Sequence, residues 1–345
     1  MASGVLYTRR STDGIFIGCR IVVSRGSGVF FGRKRQCFST SNSLKKTPDP
    51  FVHRRKSPHL LPDWTDRTHL WTVLRIERFS MACIEDVCQV LNELAPLSTA
   101  ESWDNVGLLL GRRERTVSRL MTCLTLTPAV AQESVARNVE LIVTHHPVLF
   151  RGAKAIISDT IEGKLLLDLI EAGVAVYSAH TAFDNAERGI NEWLGKSLGL
   201  TSVEPLRPFA DGVAGGAGRK GVFEVAISRQ EFLQKLATVV GAAYLEVAWH
   251  GPELVKSVGL ACGSAVEYLD DAINSGCETF VTGEARFHSA VECQSRQINL
   301  VLTGHFASER PAVMILAKLL AERLPGVDCF ASDGDRDPLE LFRLP

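Results

Sequence analysis

From Met81 onward, short apolar runs alternate with amphipathic stretches, and this alternation restricts the fold more than any other feature of the chain. Strand candidates are Leu120–Leu126, Leu141–Thr144, Val174–Ser178, Val222–Ile227, Val258–Ala261, Thr279–Thr282 and Leu300–Thr303. Helical stretches lie near 128–138, 160–171, 187–198, 229–240, 265–275, 285–296 and 309–324. They follow a first helix in MACIEDVCQVLNELAP, where Ile84, Val87, Val90, Leu91 and Leu94 share one face. Strands apolar along nearly their whole length are buried on both sides, as in a parallel sheet covered by helices. The expected fold is α/β, with largely parallel sheets in a three-layer arrangement. The stretch 201–220 is rich in Pro and Gly and has no period, so it is expected to separate two similar lobes, 81–205 and 206–345.

Residues 1–80 differ from the rest. RGSGVFFGRKRQCFSTSNSLKK and HRRKSPH are basic, rich in Ser and poor in acids, with no sustained period. An organelle transit peptide has this composition. A non-native start is the other reading, because Met81 stands directly before the first clean helical pattern. Either way 1–80 is expected to be a disordered extension outside the fold. The expected location is cytoplasmic, or mitochondrial or another organelle if the extension is a genuine transit peptide.

Composition excludes several classes of function. A net charge of −1 gives no general reason for nucleic-acid or membrane affinity. No apolar run approaches the length of about 20 residues that a spanning helix needs. The nine cysteines are scattered, odd in number and without a C-x-x-C pair, which argues against a disulfide framework and a thiolate zinc site.

In open α/β sheets, ligands gather beyond the carboxyl ends of the strands. LIVT is followed there by His145-His146, and VAVYS by Ala179-His180-Thr181-Ala182-Phe183-Asp184. ETFVT leads to Gly283-Glu284 with His288 four residues on, and NLVLT to Gly304-His305 with Glu309. Each piece alone has a plainer reading. Paired histidines are commonly an exposed loop, and the His305–Glu309 spacing occurs on many helices. Ser308 can cap a helix starting near Glu309, with Pro311 in its first turn. Together the pieces make a constellation of imidazoles and carboxylates that suits Zn, Mn, Fe or a related divalent ion. Five histidines with three carboxylates exceed one open tetrahedral site, whereas two ions about 3.5–4 Å apart and bridged by a carboxylate would use five such donors.

The motifs ESWDNVGLLLG (101–111), LIVTHHPVLFRG (141–152), VYSAHTAFDNAERGINEWL (176–194), GAGRKG (216–221), TGEARFHSA (282–290) and TGHFASERP (303–311) are in order and span the chain from about Met81. This set resembles the Nif-three-like family, YbgI-like proteins often labelled GTP cyclohydrolase 1 type 2-like. The resemblance implies a two-lobed α/β fold with a dinuclear metal centre in the cleft between lobes. It assigns His145 and Asp184 to one of two divalent ions per chain, His146 and His305 to the other, and Glu309 as bridge. His180, Glu284 and His288 are then candidates for proton transfer or substrate contact. It also implies a homo-oligomer, a toroidal hexamer, and a small nucleotide-like substrate.

Two functions follow from the resemblance. One is a metal-dependent hydrolase; the other is a non-enzymatic metal-binding ring-shaped assembly or regulatory interaction protein. GAGRKG lacks the spacing of a Walker A loop, and a Gly-rich turn allowing close backbone approach explains it equally well. In ESWDNVG, Trp103 and Val106 can pack while Asp104 and Asn105 turn the chain. A structural role is therefore preferred there over contact with the cavity.

Overall fold

The computed structural model describes residues 81–210 and 213–342, so the expectation for residues 1–80 lies outside the described residues. The apolar runs form strands where predicted, and the intervening periods form helices. The first half comprises α1 (Ile84–Leu94), β1 (Gly107–Leu110), β2 (Arg119–Cys123), α2 (Pro128–Ala136), β3 (Leu141–Thr144), α3 (Ile161–Ala172), β4 (Ala175–Ser178), α4 (His180–Asn185) and α5 (Ile190–Ser197). Next come β5 (Thr201–Glu204), β6 (Arg207–Pro208), β7 (Gly216–Ala217), β8 (Arg219–Ser228), α6 (Arg229–Val240), β9 (Glu246–Ala248) and β10 (Leu254–Ala261). The chain closes with α7 (Leu269–Asn274), β11 (Thr279–Thr282), α8 (Phe287–Arg296), β12 (Asn299–Leu302), α9 (His305–Arg323) and β13 (Asp328–Ala331). Thr160 caps α3 by accepting from the Gly163 N–H, and Gly173 ends that helix at φ 69°. No helix among the described residues is long and apolar enough to cross a membrane.

Two principal sheets result, in the orders β1-β4-β3-β2-β13 and β5-β8-β10-β11-β12-β9. In the first, only β1 runs antiparallel to its neighbour. In the second, the parallel part is confined to β10, β11 and β12, and β5, β8 and β9 pair antiparallel. The fold is thus mixed α/β, and the expectation of largely parallel pairing holds for the first sheet only. β13, close to the C-terminus, pairs with β2 in the first sheet, while β5 pairs with β8 in the second.

Side chains alternate across each strand, as the pleat requires. Leu120, Leu141, Val143, Ala175 and Tyr177 of the first sheet pack into one core with Val258, Leu260, Val281 and Val301 of the second. Residues of α1, α5, α6 and α9 fill the same core, so these helices form a layer common to both sheets. The opposite faces carry separate cores: Met121, Ile142 and Val176 against α2 and α3, and Phe280, Leu300 and Ala261 against α7. The shared layer positions the strand ends described below.

The turn after β13 is tied back to α2 through Glu133. Its carboxylate accepts from the Gly334 N–H at 2.8 Å, the Asp333 N–H at 3.1 Å and the Ser332 hydroxyl, and pairs with Arg137 at 2.8 Å. Burial alone would raise its pKa, but these donors hold it below the ordinary value. Its stabilisation is therefore complete above the unfolded pKa of about 4.3 and is lost as pH falls through the lowered folded value. Glu133→Gln should cost about 1–2 kcal/mol at pH 7 by weakening charge-assisted hydrogen bonds. In thermal melts, the gap from the unsubstituted protein should shrink below about pH 4. An undiminished gap at pH 3 would show that the carboxylate's charge is not the source.

Candidate metal centre

β3 and β4 run parallel and end side by side, and the chain leaves them through His145-His146 and Ala179-His180. β12 ends at Leu302, and α9 starts at His305 three residues later. The helix begins four residues earlier than the Glu309 start expected from sequence. Ser308 is accordingly not its cap; its hydroxyl donates to the His305 carbonyl at 2.7 Å and accepts from the Gly263 N–H at 3.0 Å. Pro311 then lies inside the helix rather than in its first turn. The early start places His305 and Glu309 one turn apart on a single face.

Glu309 is the common partner. Its Oε2 lies 3.2 Å from His146 Nε2 and 3.1 Å from His305 Nε2, while Oε1 lies 3.8 Å from His145 Nε2. Asp184, on α4, reaches His145 Nε2 at 3.5 Å, and the Nε2 atoms of His146 and His305 are 3.4 Å apart. The five residues named as ligands from sequence therefore converge. His146 and His305 have their second nitrogens engaged: Thr125 Oγ1 lies 2.8 Å from His146 Nδ1, and Glu284 Oε1 lies 3.0 Å from His305 Nδ1. Outer partners of this kind leave Nε2 to face the cluster.

Burial and charge set the protonation. Burial pushes the His145 imidazole down to about 3, leaving it neutral. Burial would raise Glu309, but hydrogen bonds with His146 and His305 hold it well below the carboxylate range. Asp184 is held above its ordinary value by burial and by the Glu309 carboxylate. His305 rises to about 9, first through its hydrogen bond with Glu309. Among the described residues, His145 Nδ1, His145 Nε2 and Asp184 Oδ1 are buried without a hydrogen-bond partner. Orphaned polar atoms are rare in native interiors, and neutral imidazole and carboxylate oxygen are the donors a divalent ion takes. The residues fit a metal. His146, His305 and Glu309 form one group close enough to hold an ion, and His145, His146 and His180 form another.

The remaining candidates separate. His180 lines the cavity beside the cluster, adopts φ 22°, and has Nδ1 2.8 Å from Asp104 Oδ1. Asp104 also accepts from the Thr181 N–H at 3.1 Å and from its hydroxyl. Burial opposes the Asp104 charge, yet His180 and Thr181 bring its pKa down to about 2. Trp103 is 58% exposed and lines the same cavity. ESWDNVG thus contacts the cavity, contrary to the structural role preferred from sequence. A turn-forming Asp and a packed Trp look the same in sequence until the partner on α4 is known. Glu284 is exposed and lines a second cavity, which shares His146 and His305 with the first. His288 is exposed on α8 and lines neither of these two cavities, so it does not share the predicted space. Cys262 lines the first cavity, but burial, then Glu309 and Asp184, hold its thiol far above the ordinary value, making it a poor nucleophile.

GAGRKG has a mechanical role. The Arg219 guanidinium is buried, pairs with Glu192 at 2.8 Å, and donates to the carbonyls of Gly216, Gly218 and Ala186. Gly216 adopts φ 141°, and a Cβ there would meet the Arg207 carbonyl oxygen at 2.4 Å. The glycines permit close approach of backbone, and Arg219 ties it to the chain just beyond Asp184.

A model of the Duf34/NIF3 (NGG1p interacting factor 3) family matches residues 82–338. The chain belongs to the Duf34/NIF3 family. It is 29% identical over 260 residues to the GTP cyclohydrolase 1 type 2 homolog of Clostridium perfringens, covering 75% of this chain and 99% of that one. It is 31% identical over 270 residues to NIF3-like protein 1 of Drosophila melanogaster, with coverage of 77% and 91%. The fold matches that of a Bacillus cereus protein related to NIF3, with a TM-score of 0.69 at 19% identity, covering 76% of this chain and all of that one. Staphylococcus aureus protein SA1388 matches with a TM-score of 0.68 at 22% identity over 76% of this chain and 100% of its own.

Glu309→Gln keeps the size of the side chain and removes the charge that both sides of the cluster share. The full-length variant should retain less than about a tenth of the metal bound by the unsubstituted protein, measured by elemental mass spectrometry after gentle purification. Equal metal content in the two proteins would mean that Glu309 is not a ligand.

Proposed function

We propose that this Duf34/NIF3 protein is a metal-dependent hydrolase in which His145, His146, Asp184, His305 and Glu309 hold two divalent ions. The observation that carries the proposal is the division of the Glu309 carboxylate, with Oε1 toward His145 and Oε2 toward His146 and His305. The short contacts pair His145 with Asp184 and His146 with His305, the same partition that the family resemblance implies. Bound divalent ions supply Lewis acidity and bring a water toward a pKa of about 7.

The chain's own groups do the rest. Asp104 holds His180 by Nδ1, which leaves Nε2 to take or deliver a proton at the cavity wall. Burial opposes charge on His180, while its hydrogen bond with Asp104 favours the imidazolium. Thr125 and Glu284 fix the ring planes of His146 and His305. The curated relatives' name, GTP cyclohydrolase 1 type 2, suggests a purine nucleotide as substrate.

Two experiments test this reading. The full chain should carry close to two divalent ions, and a screen of nucleotides and phosphoesters with Mn, Zn, Fe and Co should detect turnover that Glu309→Gln abolishes. A metal-loaded protein with no turnover on any of these compounds, nor on phosphate-free nucleosides and nucleobases, would remove the hydrolase reading and leave metal binding alone. Asp104→Asn should lower kcat about 10–100-fold with metal content unchanged, as loss of an outer orienting carboxylate does. An unaltered kcat would exclude His180 from proton transfer.

A further inference from the structure

The cavity on the His180 side of the cluster contains features that holding a metal does not explain. Trp103, Phe150 and His180 stand edge-on to one another, with centroid distances of 5.9, 6.1 and 6.3 Å and interplanar angles of 68°, 76° and 85°. Trp103 is 58% and Phe150 50% exposed, so each ring keeps a face open to a ligand. The cavity measures about 380 Å³, within the range of small-molecule sites and large enough for a compact ring system. Aromatic faces prefer flat partners. The charge of the wall restricts the partner further. Glu101 and Glu267, neither of them in the ligand set, line this cavity, and among the described residues none that lines it is Lys or Arg. Away from the metal ligands, such a wall offers carboxylates that accept N–H donors or positive charge and no basic side chain to seat a chain of phosphates.

We propose that this cavity binds a flat, nitrogen-containing heterocycle, neutral or cationic and without a phosphate chain, stacked on Trp103 and Phe150 beside the metal ligands. The inference rests on the hydrolase reading of the same site and narrows its substrate class, away from a nucleoside triphosphate. The competing arrangement is also visible: a neighbouring cavity shares Pro147 and Phe150 and is lined by Arg151 and Lys154, which could seat phosphates beyond the ring.

The test uses the full chain loaded with Mn or Zn, with metal content measured in every sample. Guanosine, 1-methylnicotinamide and GTP are titrated by calorimetry. At least one of the two phosphate-free rings should bind, and at least 10-fold more tightly than GTP. Trp103→Ala should weaken that binding at least 10-fold while metal content stays unchanged, and Trp103→Phe should retain most of it. GTP binding more tightly than both rings, with the advantage lost in Arg151→Ala/Lys154→Ala, would overturn the proposal in favour of a phosphate seat. Binding of neither ring, or binding indifferent to Trp103, would overturn it while leaving the metal centre intact. Protein that takes up no metal would instead sink the hydrolase reading, a distinct failure. A Trp103→Ala variant whose sedimentation changes but whose ring binding does not would assign the aromatic pair to contact between copies.

Discussion

A carboxylate as deeply buried as Glu309 is costly unless each oxygen meets a donor or a positive charge, and much of the fold serves to meet it. The partners come from distant parts of the chain: His145 and His146 from the end of β3, and His305 from the residues after β12. Bringing them together requires the carboxyl edges of two sheets to face one place. The core shared by both sheets through α1, α5, α6 and α9 is what imposes that arrangement. α9 is central to it: it packs into that core through Leu316 and Leu320 while its first turn presents His305 and Glu309.

The surroundings of the cluster are fixed by hydrogen bonds rather than by apolar contact alone. Asn191 accepts from the Cys262 N–H at 2.8 Å and donates to the Asp184 carbonyl at 3.1 Å, joining the end of β10 to the segment that carries Asp184. Ser308 does the same between Gly263 and the first turn of α9. Arg219 adds a third tie through the Ala186 carbonyl. A buried polar group left without its partner costs more than the bond is worth, so these ties hold the segments that carry Asp184, His305 and Glu309 in a single register.

How much of this was readable in the sequence depends on the range of the interaction involved. The strands from β2 to β4 and from β10 to β12 were legible because burial on both faces leaves a continuous apolar run. The convergence of His145, His146, Asp184, His305 and Glu309 was legible because strand ends are the usual site in such sheets and the motifs occur together. β9, with only three residues and two of them exposed, carries no such signal. The return of β13 to β2 depends on pairing over about two hundred residues, which no local pattern encodes. The role of Asp104 was hidden for the same reason: His180 lies 76 residues away, and only the fold makes them neighbours.

His146 and His305 line two cavities, so the cluster is approachable from two sides that differ in chemistry. The side with Trp103 and Phe150 offers aromatic faces, and Asp104 holds its imidazole, His180, from behind. The other side offers Glu284 and the C-terminal residues Asp337, Pro338 and Leu339, with Tyr244 and Phe306 as its aromatic residues. On the first side His180, Asp184, His146, His305 and Glu309 line the same volume as Trp103 and Phe150, so a ring stacked there would lie beside the cluster. On the second side, Glu284 is engaged with His305 Nδ1, which orients that imidazole toward the cluster. The asymmetry separates the residues that hold the centre from those that would meet a substrate.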